Sequence, residues 1–435
     1  MPALMNYQET IDYLFAKLPM FSRIGAAAFK KDLTNTQKLC DFLGDPYIRF
    51  KSIHIAGTNG KGSVSHMLAA ILQTSGYKTG LYTSPHLKDF RERIKINGEM
   101  VTEKFIVDFT GRIKTISEKI EPSFFEITVA MAFEYFAEQE IDIAVIETGL
   151  GGRFDSTNII TPELSVITNI GWDHMNILGN SLGKIAFEKA GIIKQDTPVV
   201  IGEVLAETEK VFNDVAKEKN AALSIASDKR QAISWHWKKH ELIVEITQEN
   251  RTDHQLYHLD LPGLCQTKNL ITVLDTCSHL HQRGWNIEEQ NIRAGLQHTK
   301  KLTGLHGRWE TIHLHPLVVL DVAHNEDGIK MLMEQIEVTD HDHLHIVLGL
   351  VKDKELEKIL MLFPRLADYY FTRADIPRAL DTVILKEKAN KMGLKGEIYP
   401  DVNMAIKAAL SKATTRDMIL VCGSVFLVGE VNTPL

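Results

Sequence analysis

At 435 residues, with 44% hydrophobic and 24% charged residues, the chain has a globular make-up and enough length for at least two cores, since single cores stop growing at about 250–300 residues. A formal net charge of -7 and the absence of a basic run argue against nucleic acid and anionic membranes as partners, so an anionic substrate must be held by locally placed cations. Cys40, Cys265, Cys277 and Cys422 lack paired metal or redox spacing, no stretch reaches the ~18 apolar residues of a membrane span, and the start shows no leader pattern, which together predict reduced thiols and a cytoplasmic setting.

In chain order, the first strong element is a short buried strand at 52–56, followed by Gly57-Thr58-Asn59-Gly60-Lys61-Gly62-Ser63. After it Val64, Met67, Leu68, Ile71 and Leu72 have helical spacing, stopping at Gly76. A strand, a glycine-rich turn and a helix in succession make a phosphate loop (P-loop). Its glycines let backbone amides approach phosphate oxygens, Lys61 adds positive charge and Ser63 is placed to reach magnesium. Gly57 lies one residue nearer to the Gly60-Lys61 pair than in the standard loop, and Gly62 intervenes before the hydroxyl.

Further strands are expected at 79–83, 141–146, 164–168 and 198–201, alternating with helical segments, which is the mark of a parallel sheet covered by helices. A hairpin at 94–101 turns on Asn97-Gly98, and Thr102 reads as a helix N-cap. Alternation at 232–237 and 242–247 predicts antiparallel strands at the edge of that sheet. A helix then runs through Asn269, Val273 and Leu274. The stretch 300–308 is the expected hinge, because strands restart at 317–320, 345–348, 369–372 and 418–422. The expected fold is therefore α/β: a P-loop ATPase domain with a mostly parallel sheet at 1–300, and a smaller C-terminal Rossmann-like α/β domain at 301–435.

In open α/β sheets ligands bind beyond the carboxyl ends of the strands. Glu147 and His174 follow two such ends and, if the strands are parallel neighbours, offer an oxygen and a nitrogen to a divalent ion; structural capping and hydrogen bonding are the plainer alternative. Lys189 sits in a helix between Ser181 and Gly191, and on the residues alone a surface position is the simpler reading.

Six motifs occur in order: Gly57 to Ser63, Thr83-Ser84-Pro85-His86-Leu87, Glu147 through Arg153 and Asp155 to Asn158, Trp172-Asp173-His174, Glu188-Lys189-Ala190-Gly191-Ile192, and Asp321-Val322-Ala323-His324-Asn325. Over nearly the whole chain they resemble folylpolyglutamate synthase and the bifunctional dihydrofolate synthase/folylpolyglutamate synthase, within the Mur ligase superfamily. The resemblance implies ATP-dependent joining of L-glutamate to the carboxylate of a folate or dihydropteroate through an acyl phosphate, by a monomer that uses ATP and two magnesium ions.

On that resemblance the nucleotide is bound by Gly57, Thr58, Asn59, Gly60, Lys61, Gly62 and Ser63, with Asn269 on the adenine side, Arg308 at the phosphates and Asp321 near the ribose. Metal ligands fall on Ser63, Ser84, Glu147, His174 and Lys189, the lysine after carbamylation by CO2, which reverses the surface reading. Lys61, Lys189 and His324 take catalytic roles as the second domain closes over the nucleotide. Phe124, Phe125, Arg153, Asp155, His324 and Ser424 are implied on the substrate side, although core packing accounts for the two phenylalanines equally well. Arg23, Lys30 and Lys31, in the segment 21–31, are where a pocket discriminating between acceptors is expected. Two alternatives fit less well. Cell-wall Mur ligases carry a separate domain ahead of the ATP domain, where only about 50 residues precede the loop here, and a metal-dependent P-loop ATPase without ligase activity leaves the carboxylate-activating motifs unexplained.

Overall fold

The computed structural model describes residues 6–20, 25, 30–249, 253–352 and 356–433. Two compact units are present. The first extends to Asp260 and resumes as Cys265–Leu305, while the second takes Leu261–Leu264 and the chain from His306 onward.

The first unit is built on eight strands: β1 Lys51–Ala56, β2 Thr79–Tyr82, β3 Ile94–Ile96, β4 Glu99–Met100, β5 Ile143–Glu147, β6 Leu164–Ile167, β7 Val199–Ile201 and β8 Leu223–Ile225. Their order is β4-β3-β2-β5-β1-β6-β7-β8. The six strands from β2 to β8 are parallel, and the β3–β4 hairpin joins antiparallel to β2. Ile53, Ile55, Val145, Ile146 and Val166 are fully buried, as expected for strands covered on both faces. Because β5 inserts between β1 and β2 while β6 takes the other flank, the carboxyl ends of β5, β1 and β6 lie side by side. That convergence positions the site.

The turn at Asn97 and Gly98 has φ of 49° and 82°, as the hairpin reading requires, and the Thr102 hydroxyl accepts from Phe105 N to cap the helix Glu103–Ile120. The strands read at 232–247 are real, but they are not the edge of the main sheet. They form β9 Arg230–Lys238 and β10 Glu241–Gln248 in a separate antiparallel sheet of order β11-β10-β9, with β11 at Gln255–Leu259. The short strand β8 has already completed the parallel sheet, and β10 finds its second partner in β11, so this layer satisfies its own backbone hydrogen bonds.

The second unit holds β12 Glu310–Leu314, β13 Leu317–Leu320, β14 Leu344–Leu348, β15 Asp368–Phe371, β16 Gly396–Ile398 and β17 Met418–Cys422, in the order β12-β13-β17-β14-β15-β16. All but β12 run parallel. Its core gathers Val319, Ile346, Leu348, Phe371, Leu420 and Cys422. The four cysteines are free thiols, three of them buried. Among the described residues, no helix is long and apolar enough to cross a membrane.

Candidate active site

The glycine-rich loop leaves β1 and enters the helix Lys61–Thr74 through Gly60, whose φ of 84° is left-handed. A Cβ at Gly60 would lie 2.3 Å from Asn269 Oδ1, so both the conformation and the close approach demand glycine. The end of β6 braces the loop. Thr58 N donates to Asn169 O at 3.0 Å, Asn59 N to Asn169 Oδ1 at 2.9 Å, and Thr168 Oγ1 to Asn59 O at 2.6 Å. Lys61 Nζ folds back onto Gly57 O and Thr58 O at 3.1 and 3.2 Å. An ammonium group and a helix N-terminus thus meet at one glycine-rich loop, a combination suited to an anion.

Ser63 is buried, and its hydroxyl accepts from Gln266 Nε2 at 3.3 Å; Gln266 Oε1 in turn accepts from Asn269 Nδ2 at 2.8 Å. The helix Gln266–Gln282 therefore ties the adenine-side candidate to the loop serine. The family resemblance named Asn269 and did not name Gln266, Thr168 or Asn169, which the structure places beside it and the loop. The polar Thr168-Asn169 pair at the end of an apolar strand was the available signal.

Glu147 closes β5 opposite Ile55 of β1 and is buried, with Oε2 accepting from Ser84 N at 3.1 Å. His174, beyond β6, has a φ of 51° and opens a short helix; Asp173 Oδ1 accepts from its backbone N at 2.9 Å, and its Nε2 lies 3.8 Å from Asp173 Oδ2. Lys189 is only 4% exposed and its Nζ donates to Gly57 O at 2.6 Å, which overturns the surface reading. The helix Leu182–Ala190 buries Leu182, Ile185, Ala186, Lys189 and Ala190. That spacing puts the lysine on the apolar stripe, a signal the sequence carried. Burial in a low-dielectric setting, helped by the Lys61 charge, lowers its pKa to about 7 against the pull of Asp173 and Asp155.

Several of the substrate-side candidates have partners of their own within the protein. Phe124 is core: its ring stacks on Phe15 at 5.3 Å and meets Phe90 edge-on at 5.9 Å. Phe125 is half-buried, and a Cβ at Gly149 would lie 2.5 Å from its ring, so it borders the loop after Glu147. Arg153 is spoken for by Glu188, at 2.6 Å between Nη2 and Oε1, with its guanidinium over the rings of Phe154 and Phe187 at 4.3 and 5.1 Å. Asp155 is a loop organiser, because its carboxylate accepts from Leu150 N, Thr157 N and the Thr157 hydroxyl. Burial raises its pKa despite those donors. In the segment 21–31, residues 21–24 and 26–29, Arg23 included, lie outside the described residues, while Lys30 Nζ donates to Glu121 O at 2.8 Å.

In the second unit, Asp321 and His324 follow β13 and Ser424 follows its parallel neighbour β17. The Asp321 carboxylate accepts from Trp309 N and Ala323 N, each at 2.8 Å, and burial raises its pKa against those bonds and the Arg308 charge. Arg308 Nη1 donates to Gly307 O at 3.2 Å. His324 Nδ1 donates to Val322 O at 2.9 Å, and the Ser424 hydroxyl caps the short helix Val425–Gly429 by accepting from Phe426 N.

Phosphate-binding equipment at the head of a parallel sheet, followed along the chain by a smaller α/β unit, is the plan of a Mur ligase. The Mur ligase middle domain matches residues 55–277, and the Mur ligase glutamate ligase domain matches residues 307–425. The chain is 32% identical over 445 residues to dihydrofolate synthase/folylpolyglutamate synthase of Bacillus subtilis, covering 99% of each protein. It is 31% identical over 441 residues to folylpolyglutamate synthase of Lacticaseibacillus casei, again covering 99% of each. A probable bifunctional folylpolyglutamate synthase/dihydropteroate synthase of Haloferax volcanii is 31% identical over 438 residues; there the chain, matched over 99% of its length, spans 50% of the relative. Among solved structures, Mycobacterium tuberculosis folylpolyglutamate synthase complexed with ADP superposes with a TM-score of 0.86 at 29% identity, covering 97% of this chain and 96% of the other. Escherichia coli FolC in complex with DHPP and ADP gives 0.84 at 27% identity, covering 99% and 97%. The chain belongs to the dihydrofolate synthase/folylpolyglutamate synthase family of Mur ligases.

Proposed function

We propose that the protein forms an amide between L-glutamate and the carboxylate of a folate, and likewise of dihydropteroate, at the expense of ATP. Its end-to-end likeness to relatives named for both activities carries this reading, and the phosphate loop supplies the chemistry. Backbone amides of the loop and Lys61 receive the phosphates, Lys61 exchanging its bonds to Gly57 O and Thr58 O for phosphate oxygens. As the γ-phosphoryl group moves, its bond to ADP breaks and a P–O bond to the substrate carboxylate forms, with Lys61 neutralising the charge in transit. The neutral amine of glutamate then attacks the acyl carbon of the acyl phosphate, inorganic phosphate departs and the amine releases a proton.

Asn269 is assigned to the adenine, Arg308 to the phosphates and Asp321 to the ribose, with His324 and Ser424 placing glutamate. Phe125, bordering the loop after Glu147, is a better candidate for a flat pterin than Phe124. The hydroxyl and carboxylate oxygens of Ser63, Ser84 and Glu147 suit magnesium, His174 adds a nitrogen donor, and a buried carboxylate such as Glu147 favours a cation nearby. When bound, the ions neutralise phosphate charge and hold the reacting oxygens. Lys189 completes the set once carbamylated: its neutral Nζ attacks CO2, a C–N bond forms and a proton is lost, which turns a cation into an anionic oxygen donor. A cytoplasmic setting, where ATP, folates and glutamate coexist, is part of the proposal. Turnover of the purified protein on dihydropteroate and on tetrahydrofolate monoglutamate, with products identified by the mass of one added glutamyl residue, tests the reading; addition to neither acceptor overturns it.

A further inference from the structure

At the opposite ends of the second unit's strands from Asp321 and Ser424, the register assembles a different group of side chains. His345 pairs with Asp368 across β14 and β15, and Leu344 pairs with Met418 across β14 and β17. Strand alternation puts His343 and His345 on one face, Asp368 and Tyr370 on that same face by pairing, and Asp417 beside them at the start of β17.

The distances there suit a metal ion. His343 Nε2 lies 3.4 Å and His345 Nδ1 3.9 Å from the same oxygen, Asp368 Oδ2, and the three ligand atoms fall within 4.8 Å of one another. Tetrahedral ligands at zinc-type bond lengths of about 2.0–2.1 Å are separated by roughly 3.4 Å, so the group needs only a small contraction. His345 is 2% exposed, and its Nε2, 3.6 Å from Asp417 Oδ2, has no hydrogen-bond partner. The Asp417 carboxylate is itself held by Thr414 N at 2.6 Å. With Nε2–H facing Asp417, the Nδ1 lone pair points toward His343 and Asp368, where the Tyr370 hydroxyl at 3.1 Å now donates to it. A histidine whose far nitrogen addresses a carboxylate is the usual support of a metal ligand. Two carboxylates, Asp368 and Asp417, outweigh the nearby Lys412 ammonium, which stands 5.5 Å from the Tyr370 ring centre.

We propose that His343, His345 and Asp368 bind a divalent transition metal of the zinc class, apart from the catalytic magnesium, with Asp417 positioning His345. Two imidazoles and one carboxylate favour zinc, cobalt or nickel over magnesium and calcium. The exposed His343 and Asp368 give the ion an entry path, and the site pins the first residues of β14 to β15.

The test is a cobalt titration of the full-length protein, stripped with chelator and held in excess magnesium. Wild type and His174→Ala should both develop the visible absorption of four-coordinate cobalt, at one equivalent. His343→Gln and Asp368→Asn should each weaken that binding at least tenfold, and Asp417→Asn about 10–100-fold, with far-ultraviolet circular dichroism and ligase activity of His343→Gln unchanged. Zinc should raise the melting temperature of wild type and not that of His343→Gln. Absence of the cobalt bands in wild type, bands that disappear with His174→Ala, or equal cobalt affinity in His343→Gln would each overturn the proposal.

Discussion

The Nζ of Lys189 donates to the carbonyl oxygen of Gly57 at 2.6 Å, and Lys61 Nζ reaches the same oxygen at 3.1 Å. One carbonyl, the first of the phosphate loop, thus receives two amines from different helices. Burial, with the repulsion of the Lys61 charge added to it, pushes the Lys189 pKa down to about 7.

A lysine that titrates near 7 carries a neutral amine when ordinary lysines, titrating near 10.4, do not. The sign follows directly. Because the folded-state value lies below the unfolded one, burying the protonated form costs stability, a cost absent above about 10.4, growing as pH falls and complete below about 7. Carbamylation needs the neutral amine, so in metal-free protein exposed to 13C-labelled bicarbonate the carbamate signal should rise as pH increases through 7. The signal should vanish in Lys189→Ala; a signal that survives that substitution assigns the modification elsewhere.

Lys61→Ala should lower kcat about 10²–10³-fold with little change in melting temperature, since the side chain contacts its own loop carbonyls and no core cluster. Steady-state kinetics on protein of unchanged circular dichroism separates the two effects. Wild-type kcat in this variant would contradict the assignment of the loop.

Gly60→Ala combines a left-handed backbone, costing roughly 1–2 kcal/mol, with a clash against Asn269 Oδ1. The expected result is ATP affinity at least tenfold weaker, measured by calorimetry, because the loop and Asn269 move together. Unchanged affinity shows that the loop tolerates a shift of Asn269 and that the two act independently.

The parallel sheet and phosphate loop were legible in the sequence because buried strands write continuous apolar runs and the loop's glycines sit at fixed offsets. The membership of β9 and β10 was not, since local alternation says only that strands are antiparallel; whether they join a sheet depends on β8 and β11, short strands with weak patterns. Phe124 and Phe125, read alike in the sequence, are told apart by the fold: Phe124 is buried in the core and Phe125 is half-buried. The Ser123 cap starts the helix Phe124–Glu138, which is buried nearly all round, so periodicity does not say which ring faces the core. Arg153 and Asp155 were named on the substrate side by the resemblance, and their partners Glu188 and Thr157 emerge only when the loop is folded.

Glu147→Ala and His174→Ala should each raise the magnesium concentration for half-maximal activity at least tenfold, and the double variant should fall short of the product of the two effects because both act on one ion cluster. Magnesium titrations of activity decide this. Wild-type magnesium dependence in both single variants would make the two residues structural.

The most direct test of the whole account is glutamate-dependent release of ADP by the purified protein, with a tetrahydrofolate monoglutamate acceptor and magnesium. The account predicts negligible ADP without glutamate or without acceptor, and one ADP and one phosphate for every amide formed when all are present. ADP release at the same rate whether or not glutamate and folate are added would contradict it, leaving an ATPase in place of a ligase.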